Sequence, residues 1–224
     1  LAREIEIAAR EGGDPDMNFR LRLILDKARA ANMPKENVER AIKRGTGEEK
    51  ADQLEEIMYE AYAPHGVALI IRTLTDNRNR TVADLRRVFN RMGGSLGESG
   101  SVSWLFEEKG YLAVDAKGHD PDEIALVAID AGADDVTAGE EITEVYTFLE
   151  ELKSVQQALE EAGYSVTDSD LAMIPKTTIE LSPADTVQVM RVIDALEEIE
   201  DVTNLYSNLS IPDAVMAQYE HEAA

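Results

Sequence analysis

Between positions 47 and 54 the spacing of apolar residues switches from the period of a helix to that of a strand, which excludes an all-helical or an all-β chain. Upstream, Leu1, Ile5 and Ala8 recur at helical spacing, and after Gly12-Gly13 a second stripe runs through Met17, Leu21, Ile24, Ala28 and Ala31, with Asp14 or Asp16 as its cap. Asn32 ends that helix. Pro34 suits the first turn of a third helix carrying Val38, Ala41 and Ile42, which stops at Gly45-Thr46-Gly47. The polar stretch 45–52 reads as a linker. Because the sequence opens in mid-helix and without Met, a preceding segment is expected.

Downstream, Ile57, Tyr59 and Ala61 alternate with charged neighbours, and 67–74 is short, β-branched and nearly continuously apolar, as in a buried strand. Thr81-Val82-Ala83-Asp84 resembles a capping box before a helix striped by Val82, Leu85, Phe89 and Met92. A glycine-rich stretch, 93–100, leads into an alternating strand through Val102, Trp104 and Phe106. After a turn at 108–110 come strands at 111–114, 135–137, 144–148 and 165–174 and helices at 121–131 and 154–162. Their order, βαββαβ, is ferredoxin-like. A strand at 178–181, a helix opened by Pro183 and a strand at 202–209 complete a second such unit with the segment before Gly110, one extra leading strand included.

The expected class is therefore α+β with three domains. A helical domain spans 1–50, an α/β domain is assembled from 51–109 plus 177–224, and an acidic βαββαβ domain, 110–176, is inserted into it. Strands 67–74 and 202–209 should share a sheet.

Charge divides along the same line. Residues 1–110 carry 18 Lys+Arg against 19 Asp+Glu, a net −1, whereas 111–224 carry 4 against 26, a net −22. The first surface can approach a polyanion and the second repels one, although an acidic surface also serves solubility. Zero cysteines exclude thiolate metal sites, disulfides and a cysteine nucleophile, and they suit a reducing, cytoplasmic setting. Three scattered histidines, His65, His119 and His221, do not suggest a metal site or a hydrolytic triad. The longest apolar run, 124–129, is six residues, so no membrane span is expected. Paired acids such as Glu140-Glu141 and Glu150-Glu151 read as solvated charges. No cofactor and no enzymatic activity are expected.

Arginine supplies the one constellation with chemistry. In 72–91, Arg72, Arg78, Arg80, Arg86, Arg87 and Arg91 face only Asp76 and Asp84, and on a helical wheel Arg86, Arg87 and Arg91 fall opposite the apolar arc. Guanidinium groups grip phosphate with two parallel hydrogen bonds, though such a face can equally be a solvated one. The loop Asp76-Asn-Arg-Asn-Arg80 before the helix can hold a phosphate or cap the helix. In the helical segment, Arg40, Lys43 and Arg44 lie on the second of two helices joined at Asn32-Met-Pro34, a weak helix-turn-helix pattern. The glycine-rich stretch follows a helix and precedes a strand, the reverse of a dinucleotide fingerprint, and reads as a mobile functional loop.

Several ordered motifs resemble one family. Gly12-Gly-Asp-Pro-Asp16 with Asn18-Phe-Arg-Leu-Arg22, then Asn32-Met33, Arg40-Ala-Ile-Lys-Arg-Gly45, Tyr59-Glu-Ala-Tyr62, Thr75-Asp-Asn-Arg-Asn-Arg-Thr81, Gly93-Gly94 and Ala172-Met-Ile-Pro175 are similar to the YebC/PmpR family. The resemblance implies a three-domain shape and a DNA-binding transcriptional regulator. Relatives of that family, a mitochondrial translational activator among them, act at the ribosome, which leaves ribosomal RNA and the ribosome as alternative partners. Members open with a strongly basic segment, and this sequence starts after it. The residues placed at a nucleic-acid surface are Arg78, Arg80, Arg86, Arg87, Arg91, Arg40, Lys43 and Arg44.

Overall fold

In the computed structural model, residues 1–49 and 54–223 are described, so the expected boundary between 50 and 51 and part of the expected linker lie outside the described residues. The chain divides into two compact units, Leu1–Glu107 with Pro175–Ala224, and Glu108–Ile174.

The first unit begins with three helices, α1 (Ala2–Ala9), α2 (Phe19–Ala30) and α3 (Lys35–Gly45). They enclose a small core of Ile5, Ala8, Ala9, Leu21, Ile24, Ala28 and Ala41. Neither Asp14 nor Asp16 caps α2; Asn18 does, accepting from the Leu21 amide at 3.0 Å. An amide can do what a carboxylate cannot, because its Nδ2 also donates to the carbonyls of Ala8 (2.7 Å) and Gly12 (2.8 Å), closing the end of α1. Met17, expected in the stripe, is thereby left outside the helix and 86% exposed. Helix α3 starts one residue after Pro34, which takes the N-cap position. Its last residue, Gly45, lies against α1 so closely that a Cβ there would sit 2.3 Å from the Glu6 carbonyl oxygen. Only glycine permits that approach.

Strands β1 (Glu55–Tyr62) and β2 (Ala68–Thr75) form a hairpin across a 3₁₀ turn at Pro64–Gly66, pairing from Glu55 opposite Thr75 to Tyr62 opposite Ala68. Helix α4 (Arg78–Met92) follows, then the short β3 (Ser95–Leu96). The glycine-rich stretch is followed by a 3₁₀ turn at Ser103–Leu105 where a strand was expected, and it leaves Trp104 66% exposed.

Strand β4 (Phe106–Asp115) runs without a break through the expected turn at 108–110. Gly110 is a packing glycine: a Cβ would meet Thr147 Oγ1 at 2.4 Å and Leu152 at 2.9 Å. The second unit continues with α5 (Pro121–Asp130), β5 (Asp135–Thr137), β6 (Ile142–Thr147), α6 (Leu152–Glu161) and β7 (Val166–Pro175). Its sheet order, β5-β6-β4-β7, is that of a ferredoxin-like βαββαβ unit. Leu112, Val114, Val145, Ile124, Ala128, Leu152, Val155 and Leu159, none of them solvent-exposed, form the core between the sheet and its two helices.

The chain then returns to the first unit through β8 (Ile179–Glu180), α7 (Pro183–Glu197), β9 (Val202–Ser207), β10 (Leu209–Ser210) and a final helix, α8 (Asp213–Ala223), which the apolar spacing did not signal. As expected, β2 pairs with β9, in a sheet ordered β3-β1-β2-β9. The extra leading strand is placed differently from a simple addition at the edge. Strand β1 occupies the position beside β2 that a third strand would take, while β8 pairs in parallel with β10. A hairpin of two eight-residue strands closed across a three-residue 3₁₀ turn outcompetes a two-residue strand returning from far along the chain. Helices α4 and α7 cover this sheet, burying Leu85, Val88 and Phe89 with Val189, Met190, Val192 and Leu196. Each such side chain contributes roughly 1.5–3 kcal/mol by leaving water.

Candidate nucleic-acid interface

The loop between β2 and α4 is built on a buried polar knot. Asn77 caps α4, its side chain accepting from the Arg80 amide at 3.2 Å, so the helix begins at Arg78 and not at the expected box around Thr81. Thr81 instead points inward, its hydroxyl 2.9 Å from Thr75 Oγ1 and 2.8 Å from Asp201 Oδ2. Asp201 is 2% exposed and receives Arg80 Nη2 at 2.8 and 3.0 Å, and Arg80 Nη2 also donates to Asp76 at 2.8 Å. Burial, the largest single influence on Asp201, pushes its carboxyl up; the hydrogen bonds from Arg80, Thr81 and Thr75 together outweigh it and hold the group below the ordinary carboxylate value.

Changing Asp201→Asn removes the charge that engages Arg80 and is expected to lower stability by about 1–3 kcal/mol at neutral pH, toward the lower end because Arg80 is half-exposed. Since the folded carboxyl is depressed, its contribution is full above the unfolded value and fades as pH falls through the folded one. Urea melts of parent and variant should therefore differ at pH 7 and converge in acid.

The knot fixes what its outer face presents. A cleft of about 680 Å³ is lined by Arg78 and Arg86 with Asp76, Asn77, Asn79 and Glu55. The two arginines are eight helical steps apart, roughly 12 Å along the axis. A second groove, about 290 Å³, lies between α1 and α3 and is lined by Arg3, Arg40, Arg44, Asn37 and Glu6. The expected residues thus fall into two separate depressions of the same unit. Arg80 is turned into the knot, Arg87 pairs with Asp84 at 2.9 Å, and Arg91 and Lys43 are exposed outside both depressions. Among the described residues, no carboxylate lies within 4.0 Å of Arg40, Lys43, Arg44, Arg78, Arg86 or Arg91. Other bases are already engaged: Arg20 pairs with Glu56, Arg29 with Asp26 and Lys35 with Glu39. What remains can receive phosphate oxygens without first displacing a carboxylate.

Two residues that organise this unit carried no clear signal. Asp201 sits in the acidic run that ends α7 and resembles a solvated charge. Glu60, on the outward side of β1, accepts from the amides of Gly100 and Val102 (both 2.6 Å) and Ser103 (2.8 Å). The glycine-rich loop expected to be mobile is pinned by this carboxylate.

Comparison with known proteins accounts for nearly the whole chain. Residues 1–48 match the TACO1/YebC protein N-terminal domain, and residues 54–209 match the TACO1/YebC second and third domain. The chain belongs to the TACO1/YebC family. It is 53% identical over 225 residues to a protein of Roseiflexus castenholzii named as a probable transcriptional regulatory protein, covering 98% of this chain and 88% of that one. A Thermotoga maritima protein of the same name is 49% identical over 220 residues, covering 97% and 87%. Among solved structures, a conserved hypothetical protein from Aquifex aeolicus superposes with a TM-score of 0.88 at 44% identity, over 95% of this chain and 88% of that one. No helix among the described residues is long and apolar enough to cross a membrane.

Proposed function

We propose that this TACO1/YebC protein is a non-enzymatic, cytoplasmic transcriptional regulator that binds DNA through the basic surface of its first unit. The observation that carries this reading is the set of cations lining the two depressions that hold no carboxylate partner among the described residues, Arg40 and Arg44 in one and Arg78 and Arg86 in the other, with Lys43 and Arg91 exposed elsewhere on the same unit. The regulatory names of its relatives support it. Contacts of this kind position a protein on a phosphate backbone and do not read sequence. Arg80 acts by holding the β2–α4 loop in shape. The inserted unit, Glu108–Ile174, takes no part in phosphate contact, because its 17 acids against 3 bases give it a net −14.

The test is where the protein travels in a cell lysate. Tagged protein should sediment with chromosomal DNA and be released by DNase but not by RNase. Co-sedimentation with ribosomes, released by RNase alone, would replace this reading with that of a translation factor contacting ribosomal RNA.

A further inference from the structure

The second unit places both of its helices on one side of its sheet, as the inward Leu112, Val114, Val145, Leu152 and Leu159 show. The opposite side is built from alternate residues of the two central strands. Tyr111 on β4 stands directly across from Tyr146 on β6, with ring centroids 5.6 Å apart and planes inclined by 50°. Glu144 lies between them, its two oxygens accepting from the Tyr111 hydroxyl (3.0 Å) and the Tyr146 hydroxyl (3.1 Å). Burial first, and the Glu144 charge second, raise both phenols far above their ordinary range, so the hydroxyls stay protonated.

Asp168 acts electrostatically on Tyr111, and Asp135 on Tyr146. At the ends of β6, Ile142 and Phe148 are 40% and 51% exposed. Paired aromatics on the central strands of such a sheet are the arrangement that lets a four-stranded unit stack nucleobases. Here the surroundings have the wrong sign for a phosphate chain. The same face already holds one cation of the protein's own: Lys109 Nζ sits 6.0 Å over the Phe148 ring and pairs with Asp134. An ammonium group between an aromatic face and a carboxylate is the contact that the Tyr111–Glu144–Tyr146 cluster offers to an incoming side chain.

We infer that this open sheet face is a docking surface for a lysine- and arginine-rich polypeptide segment, whose side chains lie over Tyr111 and Tyr146 and pair with the carboxylates around them. Charge complementarity selects the occupant, since the unit carries a net −14 and the face presents carboxylates beside exposed aromatic carbon. It is a protein-binding surface, separate in chemistry from the phosphate-binding surface proposed for the first unit.

The probe is a fluorescein-labelled twelve-residue peptide of alternating lysine, arginine and glycine, titrated onto the full chain in parallel with a twelve-nucleotide uridine RNA. Two charge-matched variants distinguish a built face from a diffuse acidic field: Glu144→Gln with Asp135→Asn on the face, where Asp135 stands opposite Tyr146, and Glu160→Gln with Glu161→Gln on α6. A decrease of about tenfold in peptide affinity for the first pair, against about twofold or less for the second, is the expected result. Amide and ring shifts at Tyr111 and Tyr146 on adding peptide should accompany it, and because they are read on the unchanged chain they do not depend on the variants folding. Equal decreases for both pairs, no peptide binding, or uridine RNA perturbing the two tyrosines in place of the peptide would each overturn the inference.

Discussion

Replacing Arg40, Arg44, Arg78 and Arg86 together with Gln should weaken duplex-DNA binding far more at low salt than at high salt. Each phosphate neutralised by a protein cation releases counterions, and the log–log salt slope falls by about 0.9 for each phosphate that is no longer neutralised. If all four arginines engage phosphate, the slope drops by roughly 3.6, so between 50 and 200 mM salt the ratio of parent to variant affinity changes by about a hundredfold. Charge alone on the surface does not give this result. Changing Arg80 and Arg87, whose guanidinium groups are paired with Asp201 and Asp84, should shift the slope by much less for each residue. Thermal melts must first establish that all variants fold, which is expected of the quadruple variant because its four replaced cations hold no ion pair among the described residues. Parallel slopes for parent and quadruple variant would mean that these arginines only solvate their helices. A slope change on ribosomal RNA with none on duplex DNA would move the partner to the ribosome.

The parts of the fold legible in the sequence were those where one periodic stripe meets one core. The helices of 1–47, the strand 67–74 and the helix from Pro183 are of that kind, and so is the βαββαβ order of the second unit. Where tertiary packing set the local choice, the pattern misled. Gly110 reads as a turn residue because glycine usually relieves backbone strain, yet here it makes room for Leu152 inside a continuous strand. Thr81 looks like a helix cap because its hydroxyl suits one, yet that hydroxyl closes a buried knot with Thr75 and Asp201, the latter 120 residues away in sequence. The arginines were legible as a group, because six of them crowd one segment, but their separate fates were not. Arg80 and Arg86 differ in role because Asp76 and Asp201 engage the first and not the second, and nothing local to 72–91 encodes the reach of Asp201.

The same logic gives the largest effect expected on the glycine-rich loop. Glu60→Gln should release it, because three amides converge on a carboxylate that carries full charge and accepts at both oxygens. Burial alone would raise this carboxyl; the bonds from Val102, Gly100 and Ser103 outweigh it and lower it, so the folded protein favours the ionised form. A glutamine offers one acceptor oxygen and turns a donor toward amides that are themselves donors. Hydrogen bonds to a charged group are worth about 1.5–3 kcal/mol each, and with the site half-buried and the loop free to rehydrate, a net destabilisation of about 2–4 kcal/mol is expected. Trp104, the only tryptophan, reports on the loop because its indole N–H donates to the Ser101 carbonyl at 3.0 Å, an oxygen that also receives the Tyr62 hydroxyl at 2.9 Å. Its fluorescence anisotropy should fall in the variant at neutral pH. In the parent the depressed carboxyl keeps the loop pinned above its unfolded pKa and lets it go only as pH drops through the lower folded value, so an acid titration should bring parent anisotropy down to that of the variant. An unchanged anisotropy in Glu60→Gln, with the fold intact, would show that the 3₁₀ turn and Lys176, which donates to the Trp104 carbonyl at 3.2 Å, suffice to hold the loop.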